Sequence, residues 1–363
     1  MTMHDIYNPT RATRIIFDAD YKAVQIAPKE TACGVRLVNA DVEMYRSRVN
    51  DLILTDPALV GPPEAIKPSL LVSSMWGIGD NIHSRAVLRE LTQANDVWLE
   101  TSNPAIYHDL DVKLVPRAQQ PRIRETSKIA PRHAPAGIAH KKVSYDSRSV
   151  AHNGSVLAAQ FASCGVPMPS VPDFRMPVSP EWADRLWKTF TFPRGSKPLL
   201  VYRPIILSNK WNCPLRSPDH ATYDALFRSI CDEFFTVSIA NLPDGDRIIG
   251  PEPQVDIRLH HGELDFEMMA ALFAEASVAF VNPGFAPVLS QAVGTPTIVV
   301  YGGYECFATT HSHGARLTPT LPIDTDVPCH CFSHNCQRRC SKRISLAPAM
   351  DKIREFIDVH APR

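Results

Sequence analysis

Four groups of residues in this 363-residue chain have the types and spacing of a reactive site. The first lies in SLLVSSMWGIGDNIHSRAVLREL (69–91), where Asp80 follows Gly77 and Gly79 and His83 comes one helical turn later. A carboxylate here either caps the helix that follows or acts as a base on a ligand that the glycines let close to the backbone; His83 is then expected at the mouth of the same cleft. The second is YRPIILSNKWNCP (202–214). Lys210 and Arg203 are expected to neutralise a diphosphate leaving group without a metal, while the plainer reading of Lys210 is a surface lysine over a packed Trp211. The third is the turn Asn282–Phe285, whose Gly284 opens a helix able to cradle a pyrophosphate on its free N–H groups, together with the glycines at 302 and 303. The fourth is CHCFSHNCQRRC (329–340), with Cys329, Cys331, Cys336 and Cys340 within twelve residues. So dense a cluster suits a structural zinc as well as free thiols or a redox pair.

The elements that must position these residues read as α/β. The run LLVSS, then a helical pattern over 81–91, then DVWLET, NPAIYHDL and DVKLVP, alternate strand and helix at the short spacing of a parallel sheet. Residues 116–149 read as irregular, 152–165 as one helix, and 166–180 as a proline-rich crossing that ends in Ser179-Pro180-Glu181, a helix start. The alternation then repeats: PLLVYR, a helix over 219–233, FFTVSIA, a helix over 265–276, VAFVN, FAPVLSQAV and TIVVYGG. Two such halves predict two facing Rossmann-like domains, with ligand at the carboxyl ends of the strands. Short alternating runs before residue 67 suit a small β appendage. The expected layout is therefore 1–66 appendage, 67–175 first domain, 176–345 second domain and 346–363 a C-terminal helix.

The segment SSMWGIGDNIHSRAVL resembles the first strand–loop–helix of the heptosyltransferase-like glycosyltransferases of family 9, which have the GT-B architecture; Ser73, Ser74, Gly79, Asp80 and His83 fit the pattern, and Trp76-Gly77 looks like an insertion. The stretch ELDFEMMAALFAEASVAFVNPGFAPVLSQAVGTPTIVVYGG (263–303) resembles the donor-binding part of that family at Leu264, Ala274, Gly284, Gly294, Pro296 and Gly302, with Asn282 where the family has Asp and Pro287 where it has His. The resemblance runs from about residue 69 to 357. It implies an inverting transfer of a sugar from a nucleotide diphosphate to an acceptor hydroxyl, with Asp80 as base, and Lys210, Arg203, Asn282, Gly284, Phe285 and Gly302 around the donor. It implies no catalytic metal. Two alternatives stay open: a phage-type transferase acting on a hydroxymethylated base in DNA, and a degenerate GT-B domain that binds a nucleotide or glycan without transfer.

Composition narrows the partners. Lys plus Arg equals Asp plus Glu, so no global field draws the chain to nucleic acid or membrane. The exception is local. Residues 113–148 hold nine Lys or Arg against two acids, and Arg122, Arg124 and Lys128 are expected to meet a polyanionic acceptor such as a lipopolysaccharide core; a plain solvated loop is the other reading. No apolar run is long enough for a membrane span and no secretory signal opens the chain, so a cytoplasmic location is expected.

Overall fold

The computed structural model describes residues 67–117, 133–191, 197–208, 215–242, 245–310, 317–329, 331–332 and 341–361, and five strands ahead of them. Two compact units divide at Lys67 and Pro68. In the first, β1 (Thr2–Tyr7) pairs antiparallel with β4 (Thr31–Leu37) and β5 (Ile53–Thr55), and β2 (Arg14–Phe17) pairs with β3 (Ala23–Ile26). This is the β appendage expected from its short alternating runs.

The second unit carries two parallel sheets. The smaller has the order β8-β7-β6-β9, from β6 (Ser69–Ser73), β7 (Asp96–Thr101), β8 (Lys113–Pro116) and β9 (Ala139–Lys142). Helix α1 (Ile78–Ala94) follows β6, and α2 (Ser147–Asn153) and α3 (Val156–Ser163) follow β9. The sequence suggested one helix across 152–165. The structure breaks it at Gly154, which turns left-handed at φ 85°, and restarts it on Ser155, whose side chain accepts from Ala158 N–H. β9 falls in the stretch read as irregular. Its AHKK sequence is mostly exposed, so it joins the sheet edge through backbone pairing and shows no apolar pattern.

After α4 (Pro180–Thr189) comes the larger sheet, of order β14-β12-β10-β15-β16-β17. Its strands are β10 (Leu199–Tyr202), β12 (Phe235–Ile239), β14 (Ile257–Leu259), β15 (Val278–Val281), β16 (Thr297–Val300) and β17 (Thr320–Ile323). A two-strand ribbon, β11 (Ile206–Leu207) with β13 (Arg247–Ile248), sits apart. The helices are α5 (His220–Arg228), α6 (Phe266–Glu275), α7 (Phe285–Val293), the short α8 (Phe307–Thr310) and α9 (Leu346–His360). Strands β15 and β16 are buried along their whole length, which is why they read as unbroken apolar runs; each Val or Ile so buried is worth about 1.5–3 kcal/mol. Helix α9 closes one face of this sheet with Ile353, Phe356 and Ile357 packed in the cluster of Leu200, Val278 and Ile298.

One apolar core runs through both sheets, joining Val72 and Leu99 to Val201, Phe273 and Val299. The proline-rich crossing helps to bind them. Arg85 of α1, fully buried, donates from Nε to the carbonyls of Phe174 and Arg175 and pairs with Asp109 at 2.8 Å, while Met176 N–H reaches the Ala292 carbonyl at the end of α7. A charge at such depth is tolerated only because a carboxylate and several carbonyls surround it. Among the described residues no helix is long and apolar enough to cross a membrane.

Candidate active site

The loop 74–77 leaves β6 and turns into α1, whose first turn carries Asp80. Asn81, fully buried, holds it: Nδ2 donates to the carbonyls of Met75 and Gly77, and Oδ1 accepts from the Tyr107 hydroxyl at 2.6 Å. The two glycines do separate jobs. A Cβ on Gly77 would lie 2.4 Å from Asp80 Oδ2, so Gly77 makes room for the carboxylate folding back over the loop. A Cβ on Gly79 would lie 3.1 Å from the Phe285 Cα, so Gly79 lets α1 of the first sheet meet the Gly284–Phe285 turn of the second. The glycines expected to admit a ligand thus admit parts of the chain itself, Gly77 the Asp80 carboxylate and Gly79 the other half, and Asp80 stands at the seam.

Asp80 is half-buried, and its Oδ1 accepts from the Tyr145 hydroxyl at 2.9 Å. Burial pushes the carboxyl above its usual range, the Tyr145 bond and the charge of Arg216 oppose that push, and Glu305 reinforces it. Arg216 forms a close ion pair with Glu305, which is 2% exposed. Burial opposes the charge on Arg216, but Glu305, Tyr145 and Asp80 together outweigh it and hold the guanidinium above its ordinary value. Tyr145 follows β9, Arg216 precedes α5 and Glu305 follows β16, so three separated segments converge on the one carboxylate of α1. Nothing in the spacing of Tyr145, Arg216 or Glu305 announces this; only the positions of Tyr145 and Glu305 just beyond strand ends could have hinted at it.

Across the seam lies the expected donor turn. Gly284, at φ 147°, precedes α7 with no side chain capping the helix. The first-turn N–H groups of Phe285 and Ala286 are therefore left for an anion, and Pro287 adds none. Arg203, just past β10, lies against this turn: its Nη1 donates to Asn282 Oδ1 at 2.9 Å, and its guanidinium sits 5.0 Å from the Phe285 ring centroid. Burial lowers Arg203 to about 10, so it remains a cation at neutral pH. Among the described residues no carboxylate pairs with it. Asn282 has a defined task, since its Nδ2 donates to the carbonyls of Arg203 and Pro204. An aspartate has no proton to give either carbonyl, so the change from the family residue suits this loop.

Gly302 lies where a Cβ would strike the backbone carbonyls of Leu215 and Ser217 at 2.7 and 2.3 Å. It lets the 215–217 segment, which carries Arg216, pass over the end of β16. His83 is not brought to the cleft. It is 2% exposed inside α1, edge-on to the Phe174 ring at 5.0 Å, and burial drops its imidazole to about 3. The α1 turn that places Asp80 at the seam points position 83 into the core. Lys210, with Trp211, and the basic residues Arg122, Arg124 and Lys128 lie outside the described residues. Of the other cations in the basic stretch, Lys113 pairs with Asp96 at 2.7 Å, and Lys141 and Arg117 donate to the Cys164 and Ser74 carbonyls.

Cys329 and Cys331 are thiols with sulfurs 3.2 Å apart, and Cys329 N–H and Sγ both donate to the Gly303 carbonyl. Cys336 and Cys340 lie outside the described residues, and among those described no group of three or more His, Cys, Asp or Glu is placed to hold a metal. Phe332, next along, stacks on Tyr304 at 5.3 Å and meets Tyr145 at 6.4 Å, so this segment reaches from the second half to the residue that holds Asp80.

No protein-family model matches the chain. No curated protein matches it either. Solved structures do. A glycosyl transferase of family 9 from Veillonella parvula DSM 2008 aligns with a TM-score of 0.52 at 9% identity, over 82% of this chain and 98% of that one. TibC, a bacterial iron-containing dodecameric glycosyltransferase from enterotoxigenic E. coli H10407, aligns with a TM-score of 0.52 at 11% identity, over 98% of this chain and 90% of its own. TibC in complex with ADP-D-beta-D-heptose gives the same score at 12% identity. At such identities the likeness is one of fold. It is the GT-B fold expected from the two α/β halves, and the resemblance to family 9 read in the motifs recurs in it.

Proposed function

We propose that this chain is an inverting glycosyltransferase that moves a sugar from a nucleotide diphosphate to an acceptor hydroxyl. One observation carries the reading: the Asp80 carboxylate is held by Tyr145 at the seam where Gly79 meets the uncapped Gly284–Phe285 turn and its cation Arg203. In this reading residues 67–175 take the acceptor, 176–345 the donor, and the C-terminal helix 346–363 supports the donor side. As the acceptor oxygen attacks the anomeric carbon, Asp80 takes its proton. The bond from that carbon to the diphosphate breaks, and its electron pair leaves with the phosphate. Arg203, Lys210 and the N–H groups of Phe285 and Ala286 stabilise the departing charge, so fixed cations serve where other transferases use a divalent ion.

TibC's complex with ADP-D-beta-D-heptose makes ADP-heptose the first donor to try; for the acceptor we propose a polyanionic glycan of the lipopolysaccharide-core type, with a hydroxymethylated base in DNA as the alternative, on the local excess of Lys and Arg over residues 113–148. The defined work of Asn282 favours a working donor turn over a degenerate one. The cysteine cluster Cys329, Cys331, Cys336 and Cys340 is proposed as a structural metal site, zinc or, as TibC is iron-containing, iron. The test is a single-turnover assay with ADP-, UDP- and GDP-sugars and phosphorylated glycan acceptors, comparing the native chain with Asp80→Asn. Transfer by the native chain, lost in Asp80→Asn with nucleotide binding kept, is the expected result. Nucleotide binding without transfer by the native chain would mean a binding domain, and binding of neither nucleotide nor sugar would end the proposal.

A further inference from the structure

Trp76 is 38% exposed, the one exposed tryptophan among the described residues. So large an apolar ring left partly in water forgoes part of its burial energy, and this ring is not a loose one. The Arg117 guanidinium lies 3.7 Å over its centroid, and Arg117 is itself fixed: its Nη1 donates to the Ser74 carbonyl, and its N–H reaches the Thr101 carbonyl at 3.0 Å. The backbone is tied on both sides of Trp76, because Asn81 Nδ2 takes the carbonyls of Met75 and Gly77 at 2.8 and 2.7 Å. An exposed aromatic ordered by a stacked cation and by its flanking residues is preorganised, which is what a binding surface needs to avoid an entropic cost on association.

Its location says what it would bind. Trp76 sits at the carboxyl end of β6 and Arg117 at that of β8, the edge of the first sheet where a ligand is expected. Gly77 lies against the Asp80 carboxylate. With consecutive Cα atoms about 3.8 Å apart, the Trp76 Cα is within about 8 Å of Asp80 Oδ2. The backbone that carries the indole is therefore a close neighbour of the carboxylate, near enough for one sugar to touch both side chains. The C–H face of a pyranose presents partly positive hydrogens, and an aromatic face is negative, so the two stack. Arg117 takes one face of the indole and leaves the remainder to solvent, while its unused N–H donors suit an acidic substituent on the same sugar. We infer that Trp76 and Arg117 form the acceptor platform, on which a pyranose ring carrying a phosphate stacks so that its hydroxyl reaches Asp80. The inference rests on the glycosyltransferase reading and gives the acceptor a chemical class: a glycan already containing a sugar ring, rather than a bare protein hydroxyl or a DNA base.

The full chain is tested by saturation-transfer NMR with methyl mannoside, methyl glucoside, methyl heptoside and their 4-phosphates at millimolar concentration, with ADP, UDP and GDP affinities measured in parallel by calorimetry. The expected result is saturation of protons on one face of the sugar ring, lost in Trp76→Ala and largely retained in Trp76→Phe. Arg117→Ala weakens the 4-phosphates at least tenfold and the neutral glycosides much less. Nucleotide affinity is the same in all variants. Equal binding of the glycosides by the native chain and Trp76→Ala, or no binding of any of them by the native chain, overturns the platform. If nucleotides still bind in that case, the transferase reading stands and the platform alone falls; if the native chain binds no nucleotide, the transferase reading falls with it.

Discussion

Tyr145→Phe removes one hydroxyl and leaves the ring in place beside Phe332. The lost bond is 2.9 Å long and ends on a carboxylate that burial already pushes towards protonation. A hydrogen bond to a charged group is worth about 1.5–3 kcal/mol, and one pKa unit corresponds to about 1.4 kcal/mol. The protonated acid keeps part of that bond, so only part of its worth goes into raising the Asp80 pKa further. The groups facing this carboxylate are Tyr145 after β9, Arg216 before α5 and Glu305 after β16. Tyr145 does not titrate in the working range, since burial pushes its phenol far up, so the acidic limb of the rate profile belongs to Asp80. A base works when deprotonated, so raising its pKa moves that limb to higher pH. Turnover of Tyr145→Phe should fall by about tenfold below the limb and recover on the alkaline plateau, with KM for the donor unchanged. The assay is kcat against pH under saturating donor, supported by a carboxyl 13C titration of Asp80, which needs no substrate. An unmoved limb and an unmoved carboxyl titration would refute the role given to Tyr145, and a uniform loss at every pH would mean that the substitution has damaged the site's packing.

Asp80→Asn should lower turnover by about 10²-fold or more and raise the melting temperature near pH 8. A carboxyl whose folded pKa is raised favours the fold below its unfolded value and loses that contribution as pH rises through the folded one, so the gain should vanish near pH 4. Asn282→Asp should lower the melting temperature at pH 7 by several degrees, because the Arg203 and Pro204 carbonyls each lose a donor at about 1 kcal/mol or more apiece; equal melting curves would mean the loop is held by other contacts. Elemental analysis of protein purified without added metal should find about one zinc or iron per chain, and chelation should loosen the C-terminal segment before the core. A metal-free chain of unchanged stability would leave the four cysteines as thiols.

How far the sequence could be read follows from what each residue contacts. β10, β15 and β16 were legible because both their faces are largely buried and nearly every side chain is apolar, Thr297 at the start of β16 being the polar one. β9 was not, since an exposed edge strand spells AHKK and is held by hydrogen bonds that any sequence can make. The break between α2 and α3 was written in Gly154-Ser155, a stop followed by a start, and the reading of one long helix passed over it. Asp80 was legible because its neighbours in sequence are also its neighbours in space. His83 shares that local pattern and lies in the core, because a motif fixes spacing along a helix and not the side of it that faces the cleft. Tyr145, Arg216 and Glu305 reach Asp80 from 65 or more residues away, and no spacing encodes such a meeting.

The meeting also divides the control of the carboxylate. Tyr145 belongs to the same half as Asp80, and the bond that directs the carboxylate lies within that half, with only the Phe332 ring contact reaching Tyr145 from the second. Arg216 and Glu305 come from the second half and act through charge, the cation lowering the Asp80 pKa and the anion raising it, with the cation the stronger of the two. The direction of the carboxylate is thus set from the first half, and its proton affinity is trimmed from the second. Gly79 and Gly284 are what make the two act on one group. A Cβ at position 79 would come within 3.1 Å of the Phe285 Cα, so a side chain there would make the two backbones give by a few tenths of an ångström at the place where both halves reach Asp80.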